Sequence, residues 1–148
     1  MPYFSNPKEV MDYITDLVES NAGALGINHV GYGDEQLIPA FPAIMVIAGE
    51  ERRTLDGGTT THFKKIYPMD IWVYHGRMDK NHKVRSIEDM NLATGIKNLL
   101  HNNYNLGGGI IFGYVTGNTP GVMVRNKVSI IGTRLEWEGE GREAIRGV

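Results

Sequence analysis

The side chains best equipped for chemistry are His75, Asp79 and His82, because two imidazoles and a carboxylate are common donors to a transition metal. Their placement argues for something plainer. Zinc ligands sit at short, structured offsets, whereas the two histidines bracket a polar loop of ordinary composition that contains Asp79, so solvated loop side chains are the expectation. His29, His62 and His101 are scattered and have no patterned partner. No serine stands in a Gly-x-Ser-x-Gly turn, so a nucleophile elbow is not encoded. Gly107-Gly108-Gly109 precedes a strand pattern rather than opening a helix, and it lacks the Lys-Ser or Lys-Thr of a phosphate loop. The chain contains no cysteine, which removes thiolate nucleophiles, disulfides and cysteine-bound zinc together. The expectation is a protein that is not an enzyme and uses no cofactor or metal.

Charge placement is more informative. Arg52-Arg53 and Lys64-Lys65 should face each other near the open end of one hairpin, making a local basic patch. Such a patch either protects a strand edge or meets an acidic surface on a partner subunit. The complement on a neighbouring copy would be Glu136, Glu138, Glu140 and Glu143, in the segment that begins with Arg134 and Leu135. Trp137 lies among those carboxylates, where a large aromatic either anchors an interface or caps its own core. The interface candidates are therefore Arg52, Arg53, Lys64, Lys65, Arg134, Glu136, Trp137 and Glu138.

With 148 residues, 41% apolar and 22% charged, the chain is the size of one ordinary domain, and residues 1–148 are read as one. Folding at this size buries roughly 68–70% of the unfolded surface, enough for a real core. Its 15 Lys plus Arg and 17 Asp plus Glu are interspersed, which argues against tight duplex binding, since that needs a concentrated basic face. The N-terminus has no basic region leading into an apolar run, and no stretch approaches 18 apolar residues, so neither signal-peptide export nor a membrane span is expected. Absence of cysteine fits a reducing cytoplasm or a robust extracellular particle.

Asn6-Pro7-Lys8-Glu9 predicts a helix over about 7–21, with an N-cap, a proline at the first position and a capping box. Val10, Ile14, Leu17 and Val18 form its apolar face. A brief strand follows at Ile27–Gly33, then a buried one at Phe41–Gly49 whose continuation, Glu50–Thr54, leads into solvent. Asp56-Gly57-Gly58-Thr59 signals a hairpin turn into a long strand from His62 to His75. Pro68 within that run predicts an edge, a bulge or a break. A second helix is expected from Ser86, as N-cap, to about His101, weakened at Gly95 unless close packing needs the missing side chain. A strand at 110–116, a turn at 117–121 and a final strand at 122–137 complete the pattern, with residues 135–148 a charged C-terminal tail. Apolar residues switch from even to odd positions near Ile130 to Gly132, which predicts a β-bulge there. The order α-β-β-β-α-β-β indicates an α+β fold, a mainly antiparallel β-sheet packed by two helices. A final strand of this length is expected to outrun its own sheet and offer backbone to a neighbour.

These patterns resemble the tail terminator, or tail completion, proteins of long-tailed bacteriophages. The resemblance runs through the early helix, Phe41-Pro42-Ala43-Ile44-Met45-Val46 leading into Gly49-Glu50-Glu51-Arg52, then Met69-Asp70-Ile71-Trp72-Val73-Tyr74, a helix, Gly113-Tyr114-Val115, and Arg134-Leu135-Glu136-Trp137-Glu138. It implies a structural virion protein at the tail-neck junction, assembled in the host cytoplasm, whose homohexamer ring caps the tail tube and stops its elongation. The implied partners are other copies of the chain, the tail tube protein and the head-tail connector or stopper protein. Genome DNA would pass through the lumen without specific binding, and no membrane is involved. Alternatives are another neck protein, such as a head-closure or connector subunit, and a small cytoplasmic ligand-binding or hydrolase domain.

Overall fold

Asn6 starts the first helix as its type and spacing require. Its Oδ1 accepts a hydrogen bond from the Glu9 N–H at 3.0 Å, and Pro7 fills the first helical position. Glu9 reaches back one residue further than a capping box, accepting from the Ser5 N–H at 3.1 Å and the Ser5 hydroxyl at 2.8 Å. Those bonds hold the Glu9 carboxyl below the usual carboxylate range.

The computed structural model describes residues 3–32, 38–55, 62–77, 82–125 and 127–144. Within them lie helices α1 (Pro7–Ser20), α2 (Ala22–Leu25) and α3 (His82–Asn102), and strands β1 (His29–Tyr32), β2 (Ala43–Ala48), β3 (Arg52–Leu55), β4 (His62–Arg77), β5 (Phe112–Arg125) and β6 (Val128–Ala144). The sheet order is β1-β2-β4-β6-β5, with β3 beside β2 on the same flank of β4. Among the described residues only the β1–β2 pairing is parallel. The α+β class and mainly antiparallel sheet are as the residue pattern predicts, with a third, short helix and the extra strand β3 where solvent was expected.

Several local expectations are corrected. Residues 117–121 are not a turn, because β5 runs through them and the chain reverses between Arg125 and Val128, with Lys127 at φ 64. Helix α3 begins at His82, so Ser86 is not its cap. Pro68 neither ends nor bulges β4 but sits at a local edge, one of the three expected outcomes. It falls after β2 has ended at Ala48 and before β3 begins at Arg52, so its missing N–H interrupts no ladder, and its carbonyl accepts from the Gly49 N–H at 2.8 Å. Gly95 is explained by packing, since a Cβ there would lie 3.2 Å from Leu25 Cδ2. The Asp56–Thr59 turn lies outside the described residues.

The largest correction concerns the C-terminal segment. Residues 135–144 are not an overhanging tail but the second half of an interior strand, paired with β4 on one side and, up to Glu140, with β5 on the other. The even-to-odd switch in β6 is no bulge in that strand. Val128 and Ile130 point to the helix-free face, where they pack with Ala43, Met45 and Tyr74, while Leu135 and Trp137 point to the main core beneath α1 and α3. Both sheet faces are thus apolar, at different levels. The register shifts fall on the partners, at His75 of β4 and Thr116 of β5.

Trp137 is 1% exposed and sits in the main core. Its ring occupies the space that side chains on Gly113 and Gly139 would need, so a Cβ at either position would meet the indole. Replacing Trp137 by Ala is expected to destabilise the fold by about 3–5 kcal/mol, and Gly113→Ala by about 1–3 kcal/mol through overpacking. Urea unfolding of the dilute chain checks both. Midpoints at the wild-type value would mean that the ring is not a core element.

Candidate functional site

The predicted basic pairs face each other across one ladder, but Arg53 and Lys65 point to one sheet face and Arg52 and Lys64 to the other, so they do not form a single patch. Arg53 lies opposite Lys65, and Thr54 opposite Lys64, across the β3–β4 ladder. The acidic residues reach them from β6 of the same chain: Lys64 lies 3.0 Å from Glu140, Arg53 lies 3.3 Å from Glu143, and Arg52 donates to Glu138. Arg134 reaches Asp70 at 3.2 Å and Glu136 at 3.5 Å, and its guanidinium lies over the Trp72 ring. Because β6 runs beside β4, the complement assigned to a neighbouring copy is supplied internally. These pairs are half-exposed and individually weak.

Lys65 is different because its side chain is fully buried. Its Nζ donates to the Ser5 carbonyl at 2.8 Å and lies 3.2 Å from Glu51 and 3.4 Å from Glu143. Burial pulls the ammonium pKa down, but Glu51 and Tyr67 more than offset it, so the group is held above its ordinary value. It is a structural tie rather than a cation available to a ligand. Beside it the Tyr67 hydroxyl donates to the Phe4 carbonyl at 3.1 Å, and burial pushes the Tyr67 pKa up.

Sequence reasoning missed the surface with the clearest capacity to bind. Tyr104, Phe112 and Tyr114 are each about half exposed, and their rings follow one another at centroid distances of 5.8 and 5.5 Å. With His101 and Gly113 they line a groove of about 460 Å3. The available signal was the alternation Phe112-Gly113-Tyr114, in which glycine accommodates the Trp137 ring and the flanking aromatics must face the other way. The backbone edge beside these rings is already closed. The Gly113 N–H donates to the Tyr104 carbonyl at 2.7 Å, and the Val115 N–H to His101 Nε2 at 3.0 Å. What remains available here is ring surface.

No family model matches the chain, and no curated protein matches it.

A second cluster joins α3 to the sheet. Asp89 is buried and accepts from the Thr133 hydroxyl through Oδ2, while its Oδ1 has no hydrogen-bond partner among the described residues. His75, the extra residue of the β4 bulge, meets Glu88 at 2.7 Å through Nε2. Among the described residues no three metal-donor side chains converge. Asp79 and the His82 side chain lie outside them. Burial raises the Asp89 pKa, with Thr133 and His75 acting in the opposite direction.

A carboxyl whose folded pKa exceeds its unfolded one favours the folded state when protonated. That contribution is lost as pH rises from the ordinary value of 3.8 through the raised folded value. Asp89→Asn retains an acceptor for Thr133 without the buried charge. The variant is expected to unfold at higher urea than wild type at neutral pH, with the gain shrinking below the ordinary carboxyl value. A gain that is the same at both pH values would exclude this origin.

Proposed function

We propose that this chain is a ring-forming structural subunit that caps a phage tail tube and joins it to the head connector. The observation that carries the reading is the exposed aromatic edge formed by Tyr104, Phe112 and Tyr114. Clustered aromatics on a surface mark an interaction site more often than a chance exposure, and Tyr and Phe are enriched at interface centres. The shape of the sheet supports a ring in particular. Its two flanks are unlike, with a short strand rich in arginine on one and an aromatic strand on the other. Cyclic assemblies join such unlike faces head to tail.

The helix-free face also suits a conduit. Arg52, Lys64 and Arg134 lie among Glu138, Glu140, Asp70 and Glu136, so their positive charge is locally compensated. Duplex binding draws its strength from phosphate neutralisation and counterion release, and a compensated face supplies little of either. DNA would slide past such a wall.

The resemblance to tail terminators supports the same reading, with one change of mechanism. The joint belongs to the sheet flanks, since β6 is committed to its own sheet. Electron microscopy of the purified chain mixed with tail tubes is expected to show six-fold rings seated at one end of each tube. Tubes that stay bare and continue to elongate in the presence of the chain would contradict the proposal.

A further inference from the structure

Arg52 on β3, Ile66 on β4, Glu140 on β6 and Phe112 on β5 are successive register partners, so Arg52 and Phe112 end the same row at opposite flanks of the sheet. One row further, Pro68 and Glu138 lead to Tyr114. Partners in register point to one face, so the guanidinium and the two rings share the helix-free side. A second copy placed beside the first, with its sheet continuing the same rows, would bring its Arg52 against the Tyr104–Phe112–Tyr114 surface.

The chemistry of the two flanks is complementary. A guanidinium stacks on Tyr and Phe faces through the ring quadrupole. Arg52 donates to Glu138 of its own chain, on β6 and two strands in from the flank; that exposed pair is weak, and the guanidinium, 59% exposed, exchanges it for the rings of the next copy. Strand addition is not available at Gly113 and Val115, whose N–H groups are bonded to Tyr104 and His101. Contact between side chains is the arrangement this flank allows.

We infer that the aromatic groove of one copy receives the β3 flank of the next, with Arg52 stacked on Phe112 and Tyr114. This rests on the ring reading and specifies its joint. It also explains why one row of the sheet ends in a cation and the other end in a ring cluster.

The test uses the full chain with two kinds of variant, each checked for native circular dichroism. Phe112→Ala with Tyr114→Ala disables the groove, and Arg52→Ala disables the opposite flank. Arg52→Lys retains the charge but loses the planar stack. Sedimentation of each alone is expected to show self-association weakened by roughly tenfold or more. Mixing the groove variant with Arg52→Ala is expected to give a particle of two chains, because a single intact joint remains between them. If the wild type assembles and these variants assemble equally well, the joint lies elsewhere and this inference fails while the ring stands. A wild-type chain that is monomeric at every concentration and on tail tubes removes both.

Discussion

The packing of Trp137 against Gly113 and Gly139 is the constraint on which the rest of the sheet depends. Removing this indole is expected to cost about 3–5 kcal/mol. Its position on β6, with Gly113 on β5 and Gly139 two residues further along, sets the register of the final hairpin. That register lays the carboxylates of β6 beside Arg52, Lys64 and Arg53. Internal charge pairing, the interior position of β6 and the outward aim of Phe112 and Tyr114 follow together. One buried ring thereby decides which surfaces are left for other molecules.

Lys65 does for the chain ends what Trp137 does for the centre. Its ammonium joins Ser5 near the N-terminus, Glu51 before β3 and Glu143 near the end of β6. A charge buried this completely is tolerable only when its donors are satisfied, and removing one partner leaves the others uncompensated. The segment around Phe4 and Ser5 is further held by the Tyr67 hydroxyl and by the Phe4 N–H to the Gly109 carbonyl at 2.8 Å. Glu51, which precedes Arg52, is thereby tied to β4 and, through Lys65, to Glu143 of β6.

Local chemistry was legible wherever it was complete within a few residues. The Asn6-Pro7 start of α1, the buried β2 and the facing of Arg52-Arg53 and Lys64-Lys65 in one hairpin all follow from side-chain type and spacing. Where tertiary context decided the outcome, the residues misled. Gly117-Asn118-Thr119-Pro120-Gly121 has turn composition, yet a flanking strand tolerates glycines and a proline because its outer N–H groups need no ladder partner. The even-to-odd switch in β6 looked like a bulge because periodicity reports burial without saying on which face. Trp137 read equally as an anchor or a core residue, and only the two glycines facing it separate the alternatives. The aromatic groove was hidden for a related reason: Tyr104 joins Phe112 and Tyr114 only after the chain has turned between α3 and β5.

A sheet with a locked interior and two dissimilar flanks offers the unlike faces that the proposed ring needs. In the proposed ring β6 stays internal in every state and assembly involves the flanks. Hydrogen exchange compared between the dilute and the assembled chain tests this most directly. The account predicts slow exchange for 135–140 in both states, with protection gained on assembly only around β3 and around Tyr104 to Val115. Rapid exchange of 135–140 in the dilute chain, slowed on assembly, would mean that the final strand is completed by a neighbour, and the account would be wrong.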